Sequence, residues 1–242
     1  MEALATPQFW IAVGQIIMID ILLGGDNAVV IALACRGLPA EQRKWGIIWG
    51  TVGAIVLRVL LIAFALTLLT VPYLKLVGAV LLFWIGIKLL MPQEEETHNI
   101  NSSDKLWGAV KTVIIADLVM SVDNVLAIAG AAENAGQHQL GLVIFGLLVS
   151  IPIIVAGSQI VLKLMDRFPW IITVGGMLLG WIAGQMAVTD PAVLGTWVPA
   201  MAKASGKGVE PPALWFYGAA IFGALLVLVA GLYFQKRSKI ST

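Results

Sequence analysis

The chain has 242 residues, of which 60% are hydrophobic and 12% charged, and its net charge is +1. That leaves too little polar surface for a soluble domain and no basic excess for nucleic acid. A lone cysteine, Cys35, excludes an internal disulfide and has no zinc-type spacing around it.

Apolar runs of about twenty residues recur along the chain, the length of helix that crosses a hydrocarbon core of roughly 30 Å. They fall at about 9–34, 46–70, 72–91, 107–131, 139–163, 169–188 and 212–234. The expected fold is therefore all-α, a polytopic membrane protein with seven transmembrane helices. The first run lacks a preceding positive region and carries acids, so it reads as an uncleaved span rather than a signal peptide. No Arg- and Ser-rich transit segment precedes it, which favours a bacterial plasma membrane over an organelle. Val71-Pro72 marks a very short second connection. Residues 92–106, with Glu94-Glu95-Glu96, read as a central linker. Residues 189–211 carry Pro and Gly and read as an outer loop, either external or partly re-entrant.

Lys and Arg set the expected orientation. With the N-terminus outside, the inner connections and tail hold 11 of the 15 basic residues and the outer connections hold 3. That is a positive-inside pattern and puts the C-terminus in the cytoplasm. The remaining base, Arg58, falls within the second span.

The chain also repeats itself. Residues 20–34 read DILLGGDNAVVIALA and residues 117–131 read DLVMSVDNVLAIAGA, an offset of 97. The offset aligns Asp20 with Asp117, Asp26 with Asp123 and Asn27 with Asn124. It also maps Trp84-Ile85 onto Trp181-Ile182 and Gly78 onto Gly175. Three spans per copy is an odd number, so the copies enter the membrane from opposite sides. The expected organisation is a first repeat at 1–91, the cytoplasmic linker 92–106, and an inverted second repeat at 107–188. The outer loop 189–211 and a seventh helix with its tail, 212–242, complete it. Inverted repeats of this kind build many secondary transporters, with the site near mid-bilayer.

Four carboxylates inside spans need a compensating role, since each costs at least about 2.5–3.5 kcal/mol at the helix centre. Binding a cation is the direct one. Asp-Asn supplies a charged and a neutral oxygen, which suits hard divalent ions. Asp26, Asn27, Asp123 and Asn124 form the expected central site. Asp20 and Asp117 lie six residues away, about 9 Å along a regular helix, and read as outer and inner relay acids. The competing reading is a buried polar network that ties helices together, with Asn27 and Asn124 as interhelical glue.

Gly24-Gly25 admits either a helix break that exposes backbone carbonyls or a close-packing surface. Ser121 occupies the equivalent stretch of the second copy and could bend its helix by back-bonding. Arg58 is expected to pair with one of the acids, either structurally or as part of ion coupling. Met120 shares a helix face with Asp117, and its thioether would favour a transition ion if it reached the site. Ser158, Gln159 and Gln185 are candidates for a polar path. His98 and His138 have no ligand partner at useful spacing. No nucleophile–base pair, phosphate loop or zinc-protease motif is present, so no enzyme is expected and no prosthetic group is implied.

The doubled motif, DILLGGDN at 20–27 and DLVMSVDN at 117–124, resembles that of the TerC family of integral membrane proteins. The seven-span layout and acidic central loop are similar too, over nearly the whole chain. Within the family the sequence looks nearest to the YjbE-type members, and at fold level it resembles the LysE exporter superfamily. The resemblance implies manganese export, with Asp20, Asp26, Asn27, Asp117, Asp123 and Asn124 as metal-handling residues. Residue chemistry alone reaches a divalent cation with oxygen ligands.

The leading expectation is a secondary transporter exporting Mn²⁺, with proton exchange open because protonating a buried acid would weaken ion binding. The alternatives are a Ca²⁺/cation exchanger and a non-transporting membrane scaffold that binds metal. The expected partners are the lipid bilayer, a divalent metal ion and protons. Small residues in the spans also allow packing between chains, a homo-oligomer.

Overall fold

The computed structural model describes residues 14, 18, 25–63, 71–91, 102–133, 139–196, 203–205 and 208–238. Helix α1 covers Gly25–Cys35. It is followed by α2 (Ala40–Ala63), α3 (Leu74–Leu90), α4 (Ser102–Glu133), α5 (Gln139–Arg167) and α6 (Trp170–Val188). A six-residue helix α7 (Pro191–Thr196), strands β1 (Lys203–Ser205) and β2 (Gly208–Glu210), and the long helix α8 (Ala213–Ser238) complete the described chain.

Four of these helices are long and apolar enough to cross a membrane, over Ala40–Leu61, Ile144–Arg167, Trp170–Val188 and Ala213–Arg237. Helix α3 has 17 residues, about 25 Å of helix, close to the core thickness. Large apolar side chains face outward along these helices, including Val77, Val80, Trp84, Ile160, Phe222 and Val229. In water such a surface would aggregate; in a bilayer it is the solvated face. Exposed Trp45, Trp107 and Trp170 sit near helix starts, where amphipathic rings favour the membrane boundary. The protein is an all-helical polytopic membrane protein, with one small hairpin among the described residues.

The chain forms two compact units. The first comprises 1–66 and 100–163, the second 67–99 and 164–242. Each therefore draws on both halves of the sequence.

In the first unit α2 packs against α4. Gly50 faces the Val113 side chain and Gly53 that of Ile114, so the missing side chains let the helices close up. Ala28 of α1 approaches Gly157 of α5. Leu33, Ile47, Val113 and Leu147 fill the core. Pro39 ends the α1–α2 connection, and its carbonyl accepts the first backbone bonds of α2. Arg43 folds back to donate to the Leu38 and Arg36 carbonyls beyond the end of α1. Pro152 interrupts the donor ladder of α5. Nearby, the Ser150 and Ser158 hydroxyls donate to carbonyls one turn back.

In the second unit α6 packs against both α3 and α8, and α3 also meets α8. Gly176, Gly180 and Gly184 recur at the four-residue spacing of one helix face. Gly180 lies directly against the Gly223 backbone and Gly184 against that of Ala219. Small residues permit backbone contact where side chains would hold the helices apart, the usual device of packing in lipid.

Several boundaries differ from expectation. Helix α4 starts at Ser102, inside the expected linker, because Ser102, Ser103 and Asp104 form a favourable polar first turn. Helix α2 starts at Ala40, earlier than its apolar stretch, directly after Pro39, whose carbonyl accepts the Gln42 and Arg43 backbone N–H groups of the first turn. The expected outer loop 189–211 holds α7 and the antiparallel hairpin, which pairs Lys203 with Glu210.

Candidate functional site

The first unit holds a buried polar cluster. Helix α4 carries Asp117, Met120 and Ser121 inward, at 6%, 3% and 0% exposure. The spacing of three and four residues puts them on one helix face. Helix α2 brings Arg58 to the same place. Its Nη2 donates to Asp117 Oδ1 at 2.6 Å and its Nε donates to Ser121 Oγ at 3.1 Å. Ser121 Oγ in turn donates to Asp117 Oδ2 at 3.0 Å. Both carboxylate oxygens are thus engaged, and the ring of three groups is closed and shielded from solvent. A charge-assisted pair of this length in a dry interior is strong and geometrically specific.

Helix α1 supplies the neighbouring acid. Asp26 is half-buried, and its Oδ1 accepts the Asn27 backbone N–H at 2.9 Å. The Asp26 carboxylate lies within electrostatic range of both Asp117 and Arg58. Asn27 is buried, and both its side-chain oxygen and nitrogen lack a hydrogen-bond partner. Thr51 on α2 is in the same position, a buried hydroxyl without a partner. It precedes Arg58 by seven residues, two turns along the same face. A buried amide without partners costs roughly 1–3 kcal/mol, so Asn27 is either strained or reserved for something that binds.

The expected site residues fare differently. Asp26 and Asn27 lie together, and Asp117 is in electrostatic range of Asp26. Arg58 pairs with Asp117, and Ser121 completes the ring rather than bending its helix. Asp117, expected as an inner relay acid, is held by Arg58 and Ser121 in this arrangement. Met120 is buried beside that ring in sequence. Gly25, the first described residue of α1, is exposed, with no described atom close to where a Cβ would stand. Asp20 and Gly24 lie outside the described residues. The backbone of Asp123 and Asn124 lies within α4, but their side chains lie outside the described residues. Among the described residues no group of three His, Cys, Asp or Glu is placed to hold a metal ion. Of the polar-path candidates, Ser158 uses its hydroxyl on the Ile154 carbonyl and Gln159 is exposed.

Sequence reasoning missed Asp190 in the second unit. Fully buried, it accepts the backbone N–H of Tyr73 at 3.0 Å, Leu76 at 3.2 Å and Ala192 at 2.8 Å. It caps its own helix α7 and the start of α3 from outside. Tyr73 takes a left-handed backbone, φ 65°, at that junction. The signal was present: Asp190-Pro191 is a helix-start signature.

Helices of membrane-crossing length around a buried ion pair and an unpartnered amide define a multi-pass membrane protein with an intramembrane polar site. The model of the integral membrane protein TerC family matches residues 5–239. The chain belongs to that family. It is 43% identical over 175 residues to the uncharacterized membrane protein YjbE of Bacillus subtilis (strain 168), covering 72% of this chain and 78% of the relative. Identity to the uncharacterized membrane protein YceF of the same organism is 29% over 195 residues, covering 77% and 74%. Identity to the UPF0053 inner membrane protein YgdQ of Escherichia coli (strain K12) is 25% over 181 residues, covering 67% and 74%. No solved structure matches the chain.

Proposed function

We propose that this protein is a secondary transporter that exports divalent metal ions, foremost Mn²⁺, across a bacterial plasma membrane. The observation that carries the reading is Asn27, whose buried carboxamide has no hydrogen-bond partner while the Asp26 carboxylate stands beside it in sequence. A cation would take the amide oxygen and the carboxylate together and relieve both. Two oxygens of this kind suit a hard or borderline divalent ion. Manganese as the ion rests on the family resemblance.

The repeat offers the matching half of the site. Helix α4 carries Asp123 and Asn124 in the same unit as α1, so the second copy of the motif belongs to the same compact body. Seven spans in two inverted three-helix repeats, with the N-terminus outside, remain the organisation the Lys/Arg pattern and the offset of 97 favour. Helices α3 and α6, related by nearly that offset, pack against one another. Proton exchange follows as a coupling route because the same acids bind either species.

The test is flux of Mn²⁺ from proteoliposomes, comparing the wild type with Asp26→Asn and Asp123→Asn. Both substitutions should abolish flux while leaving folding intact. Wild-type rates in both variants would refute the assignment.

A further inference from the structure

The Arg58–Asp117–Ser121 ring is one-sided. The offset of 97 sets Val155 opposite Arg58 and Gly24 opposite Ser121. Of two symmetric aspartates, Asp117 has a guanidinium and a hydroxyl built against it. Its counterpart Asp20 has a glycine where the serine stands, and the fifth span has a valine where the arginine stands. The arginine and the serine that build this ring are therefore not repeated in sequence at the other copy of the duplicated acid.

We propose that Arg58 is a resident monovalent cation that competes with the transported ion for Asp117, and that this competition makes the site selective for divalent ions. The inference rests on the transport reading above. Asp117 gives Oδ1 to Arg58 and Oδ2 to Ser121. A metal ion ligated by the same carboxylate would stand a few ångströms from the guanidinium, with little water between to screen the repulsion. Pairing with Arg58 and ligation by Asp117 are therefore alternatives. A monovalent ion that displaces Arg58 exchanges one positive charge for another and gains nothing. A divalent ion brings one charge more than it displaces, and it draws on Asp26 in electrostatic range as well as Asp117. When the ion leaves, Arg58 returns and neutralises the acid, so the empty site carries no bare buried carboxylate there.

The coupling has a measurable size. If the ring is closed nine-tenths of the time or more, the apparent affinity for the ion is reduced about tenfold or more, in proportion to the open fraction. The experiment measures Mn²⁺ binding to purified full-length protein in detergent, in choline chloride and again in sodium chloride. Arg58→Gln keeps a hydrogen-bonding side chain against Asp117 and Ser121 but removes the charge. It should bind Mn²⁺ about tenfold tighter than wild type and become sensitive to Na⁺, while its release of ion in proteoliposomes slows. Arg58→Lys should restore wild-type affinity and insensitivity to Na⁺. Adding Asp117→Asn to Arg58→Gln should remove the gain, since the two side chains act as one coupled pair.

Mn²⁺ affinity in Arg58→Gln within about threefold of wild type, with no Na⁺ sensitivity, overturns the inference and leaves the transport reading standing. Wild-type protein that binds no Mn²⁺ overturns both. If Arg58→Gln does not fold, isotope-edited infrared spectra of wild-type protein with labelled arginine decide the matter. A guanidinium band that shifts when Mg²⁺ is added, and is missing from Arg58→Lys, supports the exchange. Arginine bands that stay fixed as the ion binds refute it.

Discussion

Replacing Gly180 by alanine should loosen the second unit at its centre. A Cβ built there meets the Gly223 carbonyl oxygen and carbon and the Val227 Cγ2, all closer than 3.0 Å. Two of these three atoms are backbone, which cannot rotate away. Ordinary contact begins near 3.4 Å, so α6 and α8 must part by the order of 0.5–1 Å, and a gap of that size forfeits a quarter to a half of each contact's dispersion energy. Overpacking of this kind costs about 1–3 kcal/mol, against which alanine recovers roughly 0.5–1 kcal/mol of helix propensity. Two positions in the same protein serve as controls. Gly218 on α8 has no described neighbour, so Gly218→Ala should be neutral or slightly stabilising. At Gly53 the nearest obstacle is the Ile114 Cδ1 at 2.5 Å, the free end of a flexible side chain, so Gly53→Ala should cost less than Gly180→Ala. Denaturation in mixed micelles, followed by tryptophan fluorescence, ranks the three. Gly180→Ala as stable as Gly218→Ala would refute the backbone-contact argument.

Other expectations follow from single groups. Asn27→Leu should raise stability by about 1–3 kcal/mol, because an unsatisfied buried amide is removed, yet abolish ion binding. The same denaturation assay and a Mn²⁺ titration read the two effects separately. Arg58→Met alone should cost about 3–5 kcal/mol by stranding Asp117, and Arg58→Met with Asp117→Leu should recover most of it. Unfolding midpoints of the single and double variants test this. Asp190→Ala removes the acceptor for three backbone N–H groups and should cost about 2 kcal/mol or more. Hydrogen exchange should then speed up at Leu76 and Ala192.

Much of the helical plan was legible because lipid demands long apolar runs, and such runs are visible without any knowledge of partners. The sixth and seventh runs match α6 and α8 to within a few residues at each end. Starts governed by polar first turns were less visible, as Ser102 and Ala40 show, since hydropathy does not register a cap. The doubled Asp-Asn motif singled out Asp26 and Asn27, which lie on α1 with Asn27 buried. It did not reveal that Asn27 would lack partners, because satisfaction of a buried group depends on what other elements bring to it. Arg58 was expected to pair with an acid, but choosing Asp117 required knowing that α2 packs against α4 and not merely that both cross the membrane. The division into units was invisible for the same reason: each unit joins helices far apart in sequence. Asp190 was legible as a cap for α7; its grip on the start of α3, more than a hundred residues earlier, was not.

The central claim is that a divalent ion is held by oxygen atoms of the paired Asp-Asn motifs. Anomalous scattering from crystals soaked in Mn²⁺ tests it most directly. The account predicts a peak at about 2.0–2.6 Å from an Asp26 carboxylate oxygen, with the Asn27 amide oxygen and the Asp123 side chain completing the shell. A peak confined to surface acids such as Asp166, with Asp26 and Asn27 unmoved, would contradict it.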